Sequence, residues 1–407
     1  MQYGIRLVAV IWILQSIHLW ACTSAIISGR VTADGRPILW KHRDSNFETN
    51  KVMVFQSQPY SFIGVVNTAD TTGNEIWMGS NSAGFCIINT ASYNLNQPKD
   101  YKGSMDQEGI LMKQALETCA DLTDFEALLG QTRSQRGVEA NFGVIDAKGG
   151  AAYYETSIDH YEKFDVNDPH QAPLGYMIRT NFSISGDQTT GYGYIRYQTT
   201  QNLFFRAKLE NRLNLDFIVT EADRCLQHFL QDTDLMSEPY CRNAGDTHYI
   251  LFRDYIVRNS SVSSMIIQGV IPGENPNLTT LWTILGFPLT TPVIPLWVEA
   301  GKQIPVQLMT DGAATPLLNQ YALELKKRCF PITIENGSDY LNIAVVLNRE
   351  GDGYLQRMVE LDRRTMESGL RLVQQWRDQG FRIQDTESFY RKRLQDILAV
   401  YRQYNLE

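Results

Sequence analysis

A short apolar N-terminal stretch meets a β-hairpin at Cys22 with no spacer between them, and that junction constrains the rest of the chain. Thr23-Ser24-Ala25-Ile26-Ile27-Ser28-Gly29-Arg30-Val31 reads as a strand, Ala33-Asp34-Gly35 carries an Asp-Gly turn signal, and Pro37-Ile38-Leu39-Trp40-Lys41 returns as a second strand. A cysteine at the first residue of a core strand is held rigidly, as a nucleophile must be. Upstream, Arg6 is the only charge before residue 30, Leu7 to Leu14 form a compact apolar core, and Leu19-Trp20-Ala21 ends on a small residue. One positive charge, a short apolar run and a small residue describe a cleavable secretory signal over residues 1–21. Residues 22–407 are then expected to form one exported domain, periplasmic or secreted, with Cys22 as its first residue.

Leu19-Trp20-Ala21-Cys22 also matches part of a bacterial lipobox, in which the cysteine is lipidated. A lipidated cysteine is usually followed by a polar, flexible tether, and a strand follows here instead. Composition removes other classes. The formal net charge is −8, with no run of Lys or Arg, which argues against nucleic acid or an anionic membrane surface as partner. Six cysteines in 407 residues are too sparse for a disulfide scaffold. There is no CxxC or HExxH, and the six histidines are scattered, so neither a metal nor a cofactor is expected. Beyond the N-terminus no segment approaches the roughly 18 uninterrupted apolar residues of a membrane span.

Cys22-Thr23, then Thr32-Ala33-Asp34-Gly35, then Trp40-Lys41-His42-Arg43-Asp44 resembles the start of the linear-amide C–N hydrolases of the N-terminal-nucleophile class. That group includes choloylglycine hydrolases, penicillin V acylases, isopenicillin N acyltransferases and a branch of cysteine dipeptidases. The resemblance continues, in the same order, at Asn141-Phe142-Gly143-Val144-Ile145-Asp146 with Gly149-Gly150, at Tyr154-Glu155-Thr156, at Arg179-Thr180-Asn181-Phe182 and near Arg196. It covers about the first half of the mature chain; the later half carries no motif with an assignable role.

The chemistry agrees with this resemblance. An α-amine has a reference pKa of about 7.7–8.0 and a thiol about 8.5, so an N-terminal cysteine's own amine can take its thiol proton near neutral pH without a histidine. The resemblance implies that Asp44 orients the nucleophile, that Asn181 faces it, and that Arg196, at the start of a helix, helps hold the site. Lys41 stands where many relatives carry Arg, and it lacks the planar guanidinium fork. Asn89 is a candidate oxyanion donor. Each has a plainer reading: a strand-end Asp, a turn-capping Asn, a surface ion pair, a strand-face Lys.

The expected fold class is α+β, a four-layer αββα sandwich with a helical C-terminal extension. Strands are expected at Ser24–Val31, Pro37–Lys41, Val52–Gln56, Phe62–Thr68, Gly84–Asn89, Asn141–Asp146 and Ala151–Thr156, the last two joined by a hairpin at Ala147-Lys148-Gly149-Gly150. Helical periodicity runs over Gly109–Cys119 and Thr123–Gly130, residues 194–230 read as two helices, and Leu355, Met358, Val359, Leu370, Val373 and Trp376 recur at helical spacing in the tail, as do Leu394, Ile397, Leu398 and Tyr401. Cys225 and Cys241 are close enough in sequence to suggest a disulfide. The partner is a small-molecule amide: a bile-acid conjugate, an N-acyl amino acid, a β-lactam or a dipeptide, with hydrolysis or acyl transfer and a homo-oligomer left open. The rival reading is a lipid-anchored binding protein of the same fold.

Overall fold

The computed structural model describes residues 21–98 and 100–406. The expected secretory signal over residues 1–21 lies outside the described residues except for Ala21. The first strand, β1 (Thr23–Ile27), pairs antiparallel with β2 (Ile38–Asp44) across the Asp34-Gly35 turn, with Thr23 opposite His42 and Ile27 opposite Ile38. The next strands are β3 (Asn50–Phe55), β4 (Phe62–Asn67), β5 (Met78–Asn81) and β6 (Cys86–Ala91), followed by helices α1 (Glu108–Thr118) and α2 (Leu122–Gln131). Asp121 starts α2 by accepting the Asp124 N–H at 3.0 Å, an N-cap that satisfies one orphan donor of the first turn. Strands β7 (Ala140–Ile145) and β8 (Ala151–Thr156) form the expected hairpin, its turn held by Asp146, which accepts the N–H groups of Lys148 and Gly150 at 2.8 Å. Strands β9 (Tyr161–Asp165) and β10 (Tyr176–Arg179) and helix α3 (Tyr194–Leu209) complete the first half.

In the second half, a short α4 (Leu215–Phe217) runs into a π-helical turn, Ile218–Ala222, and the chain then leaves helix for a two-stranded hairpin of β11 (Gln227–His228) and β12 (Thr233–Asp234). The second of the two helices expected over 194–230 is therefore only a few residues long. Then come β13 (Tyr249–Leu251), β14 (Ser261–Gln268), β15 (Thr280–Leu285) and β16 (Ile294–Leu296), helix α5 (Leu317–Cys329), β17 (Tyr340–Asn342), which pairs with β13, and helices α6 (Ile343–Val346), α7 (Tyr354–Gln379) and α8 (Ile383–Gln403).

Among the described residues the two large sheets are antiparallel, one in the order β10-β1-β2-β14-β15-β16 and the other in the order β3-β4-β5-β6-β7-β8-β9, beside the small β11–β12 and β13–β17 pairs. Side chains alternate across a strand with period two, so β1 and β2 send Ile26 and Leu39 inward, where they meet Ile63, Val65, Ile88, Ile145 and Tyr153 of the second sheet. The outward set, Ala25, Ile27, Ile38 and Trp40, packs under Leu203, Phe204 and Ala207 of α3 and the Ile218–Ala222 turn. The second sheet buries Phe62, Ile87, Phe142 and Tyr154 under Leu111, Met112 and Leu116 of α1 and Phe125 and Leu129 of α2. Each sheet thus presents one apolar face to the other sheet and the opposite face to helices of its own. The C-terminal helices close on the β16 end: Trp297 meets Trp376 of α7 and Phe389 and Tyr390 of α8 at ring-centroid distances of 4.9, 5.7 and 6.0 Å.

The expected Cys225–Cys241 disulfide is absent; both residues are free thiols. Cys225 is buried in the apolar cluster between the first sheet and its covering helices, its sulfur accepting the Gln227 N–H, whereas Cys241 lies half-buried after a 3-10 turn at Glu238–Tyr240.

Candidate active site

The register of the first hairpin sets the site. Cys22 is one residue ahead of β1 and shares the inward parity of Ser24 and Ile26, and it is 6% exposed. On β2 the same alternation points Lys41 and Arg43 inward and His42 and Asp44 outward. Cys22 Sγ lies 3.9 Å from the Asp44 carbonyl oxygen, so the two strand ends meet.

Arg196 draws three segments together. Buried on α3, it donates from Nη1 to the Cys22 carbonyl at 2.6 Å and to Thr23 Oγ1 at 2.8 Å, and from Nη2 to Asn181 Oδ1 at 2.8 Å. The helix can deliver this guanidinium because Gly193, with φ at 82°, precedes it. A Cβ there would stand 2.3 Å from Arg196 Nη2. Burial lowers the Arg196 pKa to about 9, which leaves it cationic at neutral pH. It is no surface ion pair.

Asn181 follows β10 and is fully buried, its amide nitrogen donating to Ala91 O at 2.9 Å. Asn141 of β7 brackets it by donating to the carbonyls of Thr180 and Phe182, each at 3.2 Å. Glu155 of β8 pairs with Arg179 at 2.6 Å and also accepts the N–H groups of Ile184 and Ser185. The motif residues Asn141, Glu155 and Arg179 thus brace the segment that carries Asn181.

Lys41 and Asn89 face each other across the two sheets. Lys41 Nζ donates to Asn89 Oδ1 at 2.6 Å and to Trp77 O at 2.7 Å. That bond fixes which way the Asn89 amide points and leaves its NH2 end as the donor. Burial brings the Lys41 pKa down to about 7, against the opposing pull of Cys22, whose negative form would favour a charged lysine. Arg43 stacks over the Trp77 ring at 4.9 Å and donates to Asn50 and Asn67; it too is electrostatically coupled to Cys22. A negative charge developing near Cys22 would therefore meet two cations, Arg43 and Arg196, and a third, Lys41, whenever it holds its proton.

Asp44 is buried and doubly engaged. Its Oδ2 accepts from Arg258 Nη2, and its Oδ1 accepts the Ser261 hydroxyl at 2.6 Å. The same Arg258 Nη2 donates to the Ala21 carbonyl at 2.9 Å, so Arg258 touches both the junction at Cys22 and its carboxylate neighbour. Arg258 also lines a cleft of about 320 Å³ with Phe252, Arg253, Asp254, Asn259, Ser260 and Asp339. Sequence reasoning missed Arg258 and Ser261, which lie more than 210 residues from Asp44 along the chain. The available signal was the run Ser261-Val262-Ser263-Ser264-Met265-Ile266-Ile267-Gln268, a buried strand that pairs with β2.

All six expected residues, Cys22, Lys41, Asp44, Asn89, Asn181 and Arg196, belong to this one constellation through the contacts above. Among the described residues no group of three or more His, Cys, Asp or Glu could hold a metal ion, and no helix is long and apolar enough to cross a membrane.

No protein-family model matches the chain, and no curated protein matches it. Solved structures similar to it include a Caenorhabditis elegans ortholog of N-acylethanolamine-hydrolyzing acid amidase, at 14% identity and a TM-score of 0.38, over 63% of this chain and 93% of that one. A penicillin V acylase from Agrobacterium tumefaciens is 11% identical with a TM-score of 0.37, over 68% and 86%. A variant of the conjugated bile acid hydrolase from Clostridium perfringens is 9% identical with a TM-score of 0.38, over 68% and 92%. Scores this low carry no argument, and the functional reading stands on the constellation itself.

Proposed function

We propose that this protein is an N-terminal-nucleophile amide hydrolase of αββα architecture whose nucleophile is Cys22, exposed as the first residue when residues 1–21 are removed on export. The observation that carries the reading is Arg196, a buried cation that binds the Cys22 carbonyl, Thr23 and Asn181 together. A buried guanidinium is costly unless its donors are used, and here the two Nη groups fix Cys22 and the first residue of β1, Thr23.

In the mature chain the Cys22 α-amine takes the Sγ proton and the thiolate adds to the substrate's amide carbon. The resulting oxyanion is held by the NH2 end of Asn89, which Lys41 has oriented, in the positive field of Lys41, Arg43 and Arg196. One such donor is worth about 2.7–4 kcal/mol in the transition state. Collapse breaks the C–N bond as the ammonium returns its proton to the leaving nitrogen, giving a thioester and a free amine. The α-amine then deprotonates a water, which attacks the thioester carbonyl and releases the acid and the Cys22 thiol. An amine acceptor in place of that water would give acyl transfer. Asp44, paired with Arg258, is the residue assigned in this reading to orient the α-amine. The substrate is a linear amide, with bile-acid conjugates, N-acyl amino acids, β-lactams and dipeptides as the classes to screen.

Cys22→Ala should abolish hydrolysis across that panel while the protein stays folded, since β1 keeps its backbone. Intact mass of exported protein should show a chain that begins at an unmodified Cys22. An acylated Cys22, or hydrolysis that survives Cys22→Ala, would overturn the proposal and favour the lipid-anchored alternative or another site.

A further inference from the structure

Behind Asp44, on the outward face of the first sheet, lies a line of buried polar groups that the mechanism above does not use. His42 is 0% exposed. Its Nδ1 lies 3.0 Å from Asp223 Oδ1 and its Nε2 lies 2.8 Å from Ser261 Oγ, the hydroxyl that bonds Asp44 Oδ1. Asp223, at the end of the π-helical turn, accepts on the same Oδ1 from Trp40 Nε1 at 2.8 Å and from the Ser264 hydroxyl. The line therefore runs Asp223–His42–Ser261–Asp44.

Hydrogen-bond accounting gives it a direction. A serine hydroxyl has one proton. Asp44, paired with Arg258, is an acceptor, so the Ser261 proton points at Asp44 and Ser261 Oγ accepts from its other two neighbours, the Arg258 backbone N–H at 3.0 Å and His42 Nε2. His42 Nδ1 faces a carboxylate that already accepts two other donors, so it too donates. With both nitrogens donating, Ser261 is turned toward Asp44. With a bare Nε2, the hydroxyl would turn back to His42 and Asp44 Oδ1 would lose its donor. The other charges around the line are Arg224, which pairs with Asp362 of α7 at 2.6 Å, and Arg258 and Arg196 on the Asp44 side; the neighbours on β1 and β14, Thr23 and Ser264, are neutral. Both His42 nitrogens are engaged within the line, and its outlet toward the site is Ser261.

We infer that Asp223, His42 and Ser261 are positioning residues that hold Asp44 in its working orientation by polarising a single hydrogen bond. The inference rests on the reading of Asp44 as the partner of the Cys22 amine. Ser261→Ala removes the link and leaves the His42–Asp223 pair in place. Asp223→Asn keeps Oδ1 as an acceptor for Trp40 and Ser264 and removes the charge that keeps both His42 nitrogens protonated. On the processed protein, with the amide that wild type turns over fastest in the panel, each variant should lower kcat about 10- to 100-fold, the worth of one hydrogen bond to a charged group, with KM within about twofold. Because both act on one bond, the double variant should be no slower than the worse single, and Ser261→Thr should recover most of the rate. In ¹⁵N-imidazole spectra, His42, assigned by its disappearance in His42→Gln, should show two protonated nitrogens in wild type and one in Asp223→Asn. Wild-type kcat in a folded Asp223→Asn, multiplying losses in the double variant, or a singly protonated wild-type His42 would each overturn the relay. A wild type with no amidase activity sinks the amidase reading instead, and the spectra still decide the relay.

Discussion

Lys41 carries its ammonium into a buried site where Trp77 O and Asn89 Oδ1 accept from it and Cys22 lies within electrostatic reach, while the like charge of Arg43 opposes it. The folded-state pKa of about 7 lies below the ordinary 10.5, so between those values the unfolded chain binds the extra proton. Stability from this group is therefore present above pH 10.5 and is lost as pH falls toward 7. The expected outcome is that wild type gains stability relative to Lys41→Met as pH rises from 7 to 10, read from paired denaturant titrations; a constant difference would show that Lys41 does not titrate as described. A second prediction concerns Cys22. One extra residue ahead of it, in a form that cannot be trimmed, keeps the thiol but displaces the amine, so amide hydrolysis should fall by about 10²–10⁴, the contribution of a general base. A folded, untrimmed protein at the mature rate would exclude the α-amine as base. Candidacy for the site was legible where chemistry and order coincide, as at Cys22, Asp44 and Asn181. It was not legible for Arg258 and Ser261, ordinary residues that acquire meaning only when β14 pairs with β2.

Among the elements, hairpins were the easiest to read, because an Asp-Gly or Gly-Gly turn signal between two short apolar runs leaves one pairing. The β1–β2 and β7–β8 pairs formed in the expected places. Strand β14 was harder to read: it is buried on both faces as those strands are, but Ser261, Ser263, Ser264 and Gln268 dilute its apolar run, and no tight-turn signal ties it to β2. Strand β5, with Gly79 and Ser80 in its four residues, has too little β propensity to announce itself. Among the motif segments, Tyr154-Glu155-Thr156 proves to be a brace. The Glu155 carboxylate takes Arg179 Nε, the N–H groups of Ile184 and Ser185 and the Ser185 hydroxyl, which pins the loop after Asn181 to β8. Glu155→Gln leaves Arg179 as an uncompensated buried charge, so it should cost about 3–5 kcal/mol. Chemical denaturation reads the loss, and a change below 1 kcal/mol would show that the loop is held by other contacts.

On the scale of the whole molecule, the two-sheet core is incomplete without the C-terminal helices. The amphipathic stripe of α7 and α8 was plain in the three- and four-residue spacing of their apolar residues, but the surface it covers was not, since Trp297 and the β16 end lie some 60–100 residues earlier in the chain. α7 stops at Gly380, whose φ of 86° lets the chain turn back into α8. α8 then lays Phe389 and Tyr390 on Trp297 and buries Ile397 and Tyr401, whose hydroxyl donates to Thr290 O at 2.9 Å. Tyr401→Phe deletes that one bond and should cost about 1–3 kcal/mol, the range for leaving a buried acceptor without its donor. Ile397→Ala leaves a cavity in the same interface and should cost about 2–5 kcal/mol. Deleting residues 381–407 removes all of these contacts at once and uncovers Trp297 and Trp376, a loss comparable with the whole 5–15 kcal/mol stability of a typical domain. The truncated protein should therefore lose its cooperative thermal transition and its amidase activity together. A truncated chain that still melts cooperatively and still hydrolyses amides would mean that the sheets and the Cys22 constellation stand without the helical cover.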